Sequence, residues 1–169
     1  MGSRREFLSA VSTFARVAFD TSACIYYLAD SGSRADLVDA LVSRAANGLV
    51  LIDLPGIVHL ELLVGPYRRR AQPDVKRVEK FVLSEPGIRT TSISRRVLMA
   101  AAEVRALTGL KVPDALVVGA AIAGPCGAIV GNDDRFKRLD SIGTVKSLVS
   151  GGVLRMPRYL HLDDYASGA

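Results

Sequence analysis

Five short apolar runs with strand character alternate with segments of helical periodicity along this chain, and that alternation limits how it can fold. The strand-like runs are predicted at residues 16–20, 49–53, 88–91, 127–131 and 158–162. Parallel strands need a crossover between them, usually a helix, so strands separated by helices predict a mainly parallel sheet. Such a sheet is covered by helices on both faces. The expected fold class is therefore α/β, as a three-layer α/β/α arrangement.

The helical segments begin and end at recognisable signals. Ser33-Arg34-Ala35-Asp36 has the spacing of a capping box, Gly48 is a natural C-terminal stop, and Pro113 suits the first turn of a helix. Predicted helices cover residues 21–29, 33–48, 56–70 and 73–84, a segment from Ser92 or Ser94 to about 109, and a segment that starts at 113. Residues 134–139 are predicted to form a short helical turn. In a sheet of this kind, the site is expected at the carboxyl ends of the strands.

The length of the chain fits one domain. A chain of 169 residues can bury roughly two thirds of its unfolded surface in a single core. We expect residues 1–15 to be an N-terminal extension and residues 16–169 to be a single domain. Hydrophobic residues make up 49% of the chain and aromatic residues only 6%, so the core is expected to be aliphatic. The formal net charge of +5 indicates an anionic partner.

The compartment signals favour the cytoplasm. Cys24 and Cys126 lie in apolar contexts without Cys or His at metal-binding spacing, so we expect reduced core residues. The start Ser3-Arg4-Arg5-Glu6-Phe7-Leu8 resembles a twin-arginine export signal. Its apolar stretch is short, however, and is interrupted by Arg16 without a clear cleavage site. The sequence contains no continuous apolar run of about 20 residues, so no membrane partner is expected.

Four carboxylates lie at or within apolar elements, where burial makes a charge costly. Asp20 ends the first strand, Glu61 interrupts an apolar helical run, Asp114 opens an apolar helix, and Asp133 follows the fourth strand. If the four converge, a hard divalent cation would relieve their repulsion, and oxygen-only ligation favours Mg²⁺ or Mn²⁺ over zinc. Such a site suits hydrolysis of a phosphodiester.

The local contexts of the four acids form an ordered set. They are Phe19-Asp20-Thr21-Ser22, Glu61-Leu62-Leu63-Val64-Gly65, Pro113-Asp114-Ala115-Leu116 and Gly131-Asn132-Asp133-Asp134-Arg135-Phe136. This set resembles the PIN-domain ribonucleases, and among them the VapC-type toxins of toxin–antitoxin pairs, from about Val17 to Tyr165. One departure is Gly131, where the family usually carries Thr or Ser. A hydroxyl that could help orient water or phosphate is therefore missing at that position.

The resemblance implies a PIN-like fold and an endoribonuclease dependent on Mg²⁺ or Mn²⁺. Asp20, Glu61, Asp114 and Asp133 would be both its catalytic residues and its metal ligands, and the metal would activate water for in-line attack on phosphorus. The resemblance also implies a homodimer, a cognate antitoxin that blocks the acidic groove, and structured RNA such as tRNA or ribosomal RNA as substrate. The alternative is a PIN-like RNA-binding module without nuclease activity.

The polar neighbours of the acids each have two interpretations. Thr21 and Ser22 could cap a helix or orient a metal-bound water, Asn132 could be a turn residue or touch the site, and Asp134 could cap the next turn or hold a metal-bound water. The two acids at helix starts could also act as helix caps.

Two basic stretches could contact RNA phosphates. The first is Tyr67-Arg68-Arg69-Arg70, in which Tyr67 could stack on a base, and the second contains Arg135, Lys137 and Arg138. Cations at a helix C-terminus also complement the helix dipole. For the first stretch, RNA contact and helix stabilisation are equal alternatives.

Other chemistries fit the sequence less well. A phosphatase of the haloacid dehalogenase class needs a second Asp two positions after Asp20, where Ser22 stands. No Walker-type Gly-Lys loop is present in the sequence. His59 lies on a different helix face from Glu61, and His161 has no acid or Ser companion in the sequence, so neither histidine is expected to be catalytic.

Overall fold

Strands and helices alternate in the computed structural model of the protein, which describes residues 3–29, 31–148 and 150–166. The strands are β1 (Arg16–Phe19), β2 (Leu51–Pro55), β3 (Ile88–Thr91), β4 (Ala128–Gly131), β5 (Thr144–Lys146), β6 (Val153–Arg155) and β7 (Arg158–His161). The helices are α1 (Arg4–Val11), α2 (Thr21–Ala29), α3 (Ser33–Ala46), α4 (Gly56–Arg69), α5 (Gln72–Ser84), α6 (Arg95–Thr108), α7 (Val112–Ala123) and α8 (Arg138–Ile142). Short 3₁₀ turns cover Asp134–Lys137 and Leu162–Asp164.

The order of the strands creates a crevice at the carboxyl ends of β1 and β4. The main sheet has the order β3-β2-β1-β4-β7, and all neighbouring strands are parallel. The chain moves outward from β1 through β2 to β3 and then returns to β4 on the other side of β1. Ligands of open α/β sheets bind where the winding reverses in this way. The pairing of Phe19 with Val130 places the ends of β1 and β4 side by side. The predicted α/β class with a parallel central sheet is confirmed.

Helices cover both faces of this sheet. The outward connections, from β1 to β2 and from β2 to β3, contain α2 to α5, and the return connection from β3 to β4 contains α6 and α7. Because crossovers between parallel strands are right-handed as a rule, we expect the two sets of helices to cover opposite faces of the sheet. The two return helices pack closely at Gly119, where a Cβ atom would lie 2.7 Å from backbone atoms of Val97 and Ala101. This contact fixes the position of α7, which carries Asp114 in its first turn.

The helix α1 was not predicted from the hydrophobic pattern. It begins at a reciprocal capping box, in which the Ser3 side chain accepts from the backbone amide of Glu6 and the Glu6 side chain accepts from that of Ser3. Phe7 and Val11 are fully buried, and the Phe7 ring packs 5.4 Å from the ring of Tyr165. The Ser-x-x-Glu spacing is visible in the sequence and could have predicted this helix.

The remaining predicted elements are present with small shifts. The strand predicted at 49–53 is wrong at both ends, because Leu49 lies in the bend after α3, where it is 60% exposed, and the pairing continues to Pro55. The turn predicted at 134–139 is a 3₁₀ turn followed by α8. The antiparallel pair of β5 and β6 was not predicted.

The sequence predicts reduced, buried cysteines and no helix that spans a membrane. Cys24 and Cys126 are both free and buried. Within residues 3–29, 31–148 and 150–166, every helix is too short or too polar to cross a membrane.

Candidate functional site

The four predicted acids meet in one cavity of about 250 Å³ at the carboxyl edge of the sheet. Asp20 joins β1 to α2, Glu61 lies in α4, Asp114 lies in the first turn of α7, and Asp133 follows β4. The reversal of winding between β1 and β4 brings together elements that are far apart in the chain. We call this space the acidic cavity.

Asp20 is the most buried of the four acids and is held by three hydrogen-bond donors. Its side chain is almost fully buried. Its Oδ1 accepts from the Ser22 hydroxyl at 2.6 Å and from the backbone amide of Ala23 at 3.0 Å. Its Oδ2 accepts from the Tyr159 hydroxyl at 3.1 Å. Burial raises the pKa of Asp20, and these hydrogen bonds oppose the rise by stabilising the carboxylate. The bond from Ala23 also makes Asp20 the cap of α2.

Tyr159 is a residue of this site that sequence reasoning missed. It lies on β7, is buried, and stacks on Phe136 with ring centroids 5.1 Å apart. Burial raises the pKa of Tyr159 far above its ordinary value, so its hydroxyl keeps the proton that it donates to Asp20. No local motif marks this residue, because it reaches the site from a strand that is a neighbour only in the folded sheet.

Thr21 and Glu61 form a second contact across the cavity. The Thr21 hydroxyl donates to Oε2 of Glu61 and thereby links the first turn of α2 to α4. Ser22 likewise donates to an acid, Asp20, and it is Asp20 that caps α2. Glu61 is thus held at the rim of the cavity, where it is partly exposed.

Arg135 lies between Asp114 and Asp133. Its Nη1 is 3.0 Å from Oδ2 of Asp114, and its Nη2 pairs with Oδ2 of Asp133. Burial raises the pKa of Asp114, Arg135 opposes this rise, and the charges of Asp133 and Glu61 add to it. Hydrogen bonds from Arg135 hold the pKa of Asp133 below its ordinary value. The arginine predicted to contact RNA therefore serves as the internal counter-ion of the acids.

The four carboxylates are oxygen ligands of the kind that a hard divalent cation prefers, but their side chains do not enclose a cation in this conformation. Among the described residues, no three acidic, His or Cys side chains are arranged to hold a metal ion as they stand. The guanidinium of Arg135 lies where two of the four acids face each other. Oδ2 of Asp114 is nevertheless buried and has no hydrogen-bond partner in the part of the chain that the structure describes, since its contact with Arg135 lacks hydrogen-bond geometry. An unpartnered buried carboxylate oxygen beside three further carboxylates is suited to bind Mg²⁺ or Mn²⁺.

Comparison with known proteins identifies the family. The PIN domain model matches residues 17–142, about three quarters of the chain. The chain belongs to the PIN domain family. A search of curated proteins gives no match.

Solved structures share the fold of this PIN domain at low sequence identity. A chain of VapBC2 from Rickettsia felis, bound to a promoter DNA fragment, has a TM-score of 0.58 and 20% identity, over 73% of this chain and 92% of its own. A toxin–antitoxin complex from Klebsiella pneumoniae gives 0.55 and 17%, over 85% and 99%. DNA-bound VapBC from Salmonella typhimurium gives 0.50 and 13%, over 87% and 98%. These likenesses support the fold.

Asp133 and Asp134 lie next to each other in the loop after β4 of this PIN domain and make different contacts. Asp133, rather than Asp134, caps the 3₁₀ turn, because the turn begins at Asp134 and the preceding side chain accepts from the amide of Arg135. The cap prediction for Asp134 is therefore wrong. Asp134 is exposed, pairs with Lys137 at 2.6 Å and lies 3.2 Å from the buried ring of His161.

Asn132 connects the loop to the rim of the cavity. Its backbone amide donates to the Ser22 hydroxyl at 2.7 Å. Its side chain lies 3.3 Å from Oδ2 of Asp163 and 3.4 Å from the hydroxyl of Tyr26. Asn132 therefore touches the site through its backbone, while its side chain holds neighbouring surface residues.

The basic stretch at the end of α4 does not form one surface. Arg69 pairs with Asp74 at 3.0 Å and, together with Glu61 and Arg77, lines a groove of about 410 Å³ next to the acidic cavity. Tyr67 and Arg68 line a separate depression on another side of α4, and Arg70 ends the helix in the left-handed conformation. Successive helical residues point in different directions, so three adjacent arginines cannot share one face. Of the other predicted RNA contacts, Lys137 pairs with Asp134, and Arg138 donates to the carbonyl of Thr108.

Proposed function

We propose that this PIN domain is an endoribonuclease dependent on Mg²⁺ or Mn²⁺ that acts as the toxin of a type II toxin–antitoxin pair. The observation that carries the proposal is the convergence of Asp20, Glu61, Asp114 and Asp133 in one cavity. PIN domains are typically nucleases that use divalent metals. An oxygen-only donor set at a strand-end crevice supports the same chemistry for this chain.

Asp20, Glu61 and Asp114 would each hold the metal through a differently supported carboxylate. When bound, the cation supplies charge stabilisation for a phosphate and lowers the pKa of water. Asp20 presents a carboxylate fixed by three donors, and Glu61 is fixed by Thr21. Oδ2 of Asp114 is the buried oxygen with an unused lone pair.

Arg135 would exchange partners when substrate binds. Its guanidinium now neutralises Asp114 and Asp133, so these acids lose their counter-ion when it moves. A planar guanidinium matches the two oxygens of a phosphate as well as those of a carboxylate. We therefore assign Arg135 to the RNA phosphate next to the cleaved bond.

The RNA strand would continue from the acidic cavity into the adjoining groove. Glu61 lines both spaces, and Arg69 and Arg77 supply positive charge in the second. The net charge of +5 favours approach of an anionic polymer. Structured RNA such as tRNA or ribosomal RNA is the proposed substrate.

The proposed protein partners are a cognate antitoxin and a second copy of the chain. The solved structures with the same fold include VapBC and other toxin–antitoxin complexes, which supports an antitoxin that covers the acidic cavity. A neighbouring gene that encodes a small DNA-binding protein, and that relieves growth arrest when co-expressed, would support this assignment. The assignment as a toxin would be contradicted if expression of the chain alone left growth unchanged.

The decisive experiment is cleavage of labelled tRNA and ribosomal RNA fragments by the purified protein. Cleavage is expected with Mg²⁺ or Mn²⁺ and is expected to stop with EDTA. Asp114→Asn should reduce the rate severely, because it weakens the metal site without changing side-chain size. Asp39→Asn is the matched control, since Asp39 is an exposed acid on α3 outside the acidic cavity. Activity that persists in EDTA or in Asp114→Asn would contradict the proposal.

One observation favours a second candidate function, an RNA-binding module without nuclease activity. Arg135 already neutralises two of the four acids, which is how a site without a metal would be stabilised. This candidate predicts that the wild-type protein binds RNA in EDTA without requiring Mg²⁺ or Mn²⁺ and cleaves none of it in any of these conditions. The same assay therefore separates the two functions.

A further inference from the structure

Two hydroxyl groups hold the two oxygens of Asp20 in the same way. The Ser22 hydroxyl donates to Oδ1 of Asp20 at 2.6 Å and accepts from the backbone amide of Asn132 at 2.7 Å. The Tyr159 hydroxyl donates to Oδ2 at 3.1 Å and accepts from the backbone amide of Asp133 at 2.8 Å. Each hydroxyl thus connects one carboxylate oxygen to one of two successive amides in the loop after β4. Asp20 and Asp133 are thereby held in a fixed relation.

Gly131 leaves the space that this arrangement needs. A Cβ atom built on Gly131 would overlap the carboxylate group of Asp20. Any side chain at position 131, a hydroxyl residue included, would therefore push Asp20 away from its present place. Tyr159, on the neighbouring strand β7, places its hydroxyl against the Oδ2 atom of this carboxylate.

Tyr159 is itself held rigidly enough to position other groups. Its ring is buried and stacks on Phe136 with an interplanar angle of 20°. The pairing of Ile129 with Tyr159 places its backbone beside β4, and the long side chain reaches past the end of that strand to the loop. Tyr159 also lies outside residues 17–142, the part of the chain that the family model matches.

We infer that Tyr159 is a positioning residue of the acidic cavity, which fixes the Asp20 carboxylate and the Asp133 backbone in the geometry that binds the cation. The inference rests on the proposed metal-dependent function. Tyr159 does not touch substrate or metal in this role. It acts through Asp20, as residues behind metal ligands commonly do.

The test compares Tyr159→Phe with wild type and with Tyr165→Phe. The change removes one hydroxyl and keeps the ring, and Tyr165 offers the matched control because its ring packs on Phe7, away from the cavity. Mn²⁺ affinity is measured by titration calorimetry on the full chain. Tyr159→Phe should bind Mn²⁺ about 10- to 100-fold more weakly, the usual effect of losing a group that orients a ligand. Tyr165→Phe should match the wild type.

Nuclear magnetic resonance of the wild-type protein gives a readout that does not depend on metal. The hydroxyl proton of Tyr159 should exchange slowly and show a nuclear Overhauser effect to the amide proton of Asp133. The amide of Asp133 should lose protection from hydrogen exchange in Tyr159→Phe and keep it in Tyr165→Phe. Absence of the slow hydroxyl proton in the wild type would overturn the inference even if the Tyr159→Phe protein failed to fold.

The two proposals fail in distinguishable ways. A Tyr159→Phe protein with Mn²⁺ affinity within about twofold of wild type would overturn the role of Tyr159 alone, whatever its melting temperature, because an orienting group normally changes affinity by more than this. A wild-type protein that binds no Mn²⁺ would overturn the proposed function and this role together. Weaker Mn²⁺ binding accompanied by loss of Asp133 amide protection would support both.

Discussion

Nη1 of Arg135 lies 3.0 Å from Oδ2 of Asp114, a buried carboxylate oxygen that has no hydrogen-bond partner among the described residues. The contact supplies charge without the directed bond that would fully satisfy the oxygen. It therefore leaves Asp114 able to take a better partner. The same guanidinium binds Asp133, so a cation that enters this space must displace it.

Replacing Arg135 by Ala should strengthen cation binding and weaken the metal-free protein. The acids lose their counter-ion, and a partly exposed pair of this kind contributes about 1 kcal/mol. The metal-free melting temperature should fall by about 2–4 °C. The rise on adding Mn²⁺ should be larger than in wild type, because the stabilisation by a ligand of the native state increases with the logarithm of its affinity. Thermal melts with and without Mn²⁺ measure both effects.

The control for this change is Arg138→Ala. Arg138 is exposed and donates to the carbonyl of Thr108 rather than to an acid of the cavity. Its removal should leave the Mn²⁺ response as in wild type. An equal Mn²⁺ response in Arg135→Ala and wild type would show that the guanidinium does not compete with the cation.

Replacing Asp20 and replacing Asp114 by asparagine should have opposite effects on stability. Asp20 accepts from three donors, so Asp20→Asn would turn an amide group toward a donor and lower the free energy of unfolding by about 1–3 kcal/mol. Burial and the charges of Asp133 and Glu61 raise the pKa of Asp114 despite the attraction to Arg135, so Asp114→Asn should leave the metal-free stability level or raise it. Urea denaturation in EDTA measures both, and both variants should lose RNA cleavage. Equal destabilisation by the two changes would contradict this account.

The pKa shifts of Asp133 and Asp114 predict how the stability of wild type, relative to Asp133→Asn and to Asp114→Asn, depends on pH. The pKa of Asp133 is lowered in the folded state, so its charge stabilises the fold above the ordinary pKa of about 4. The advantage of wild type over Asp133→Asn should therefore shrink as pH falls through the lowered pKa. The pKa of Asp114 is raised, so wild type should lose stability relative to Asp114→Asn as pH rises from about 4 through the raised pKa. Melting curves of the metal-free proteins from about pH 3 to about pH 7 give the sign of each slope, and parallel curves would contradict the assignment.

A methyl group at Gly131 should disrupt the acidic cavity. The Cβ of Gly131→Ala overlaps the Asp20 carboxylate, and overpacking of this kind costs about 1–3 kcal/mol. We expect a lower melting temperature together with loss of the Mn²⁺ response. Gly152→Ala is the control, since among the described residues a Cβ there meets the Ser150 hydroxyl alone, at 3.5 Å. Retention of the Mn²⁺ response in Gly131→Ala would mean that Asp20 can move without consequence.

Arg69 and Arg68 should differ in their contribution to RNA binding. Arg69 lines the groove beside the acidic cavity, whereas Arg68 faces another side of α4. Arg69→Ala should weaken RNA affinity and reduce the slope of its salt dependence by about one ion, because a lost phosphate contact releases one fewer counter-ion. Arg68→Ala should change neither quantity. Affinity measurements at several salt concentrations decide the matter, and identical slopes in both variants would argue against the groove as the RNA path.

Much of the fold and the four acids could be predicted because the signals are local. Strand-like runs followed by acids placed Asp20 and Asp133 at strand ends, and Pro113 placed Asp114 at a helix start. Tyr159 could not be found in this way, because its partner Asp20 is 139 positions earlier in the chain. The sequence predicts an RNA contact for Arg135 but does not show its pairing with the acids, because the tight 3₁₀ turn that directs its side chain back to Asp133 forms only in the folded chain. The hydrophobic pattern alone does not predict α1, whose signal in the sequence is the capping box of Ser3 and Glu6.

The bond from Tyr159 to Asp20 also sets an order of events during synthesis. All four acids leave the ribosome before residue 159 does, so the emerging chain carries every charged group of the cavity before its last support exists. The carboxylate of Asp20 gains its second hydroxyl only when β7 adds to the edge of β4. A nascent chain would thus pass through a stage with the acids present and the cavity incomplete, and the cavity would be completed when β7 docks onto β4.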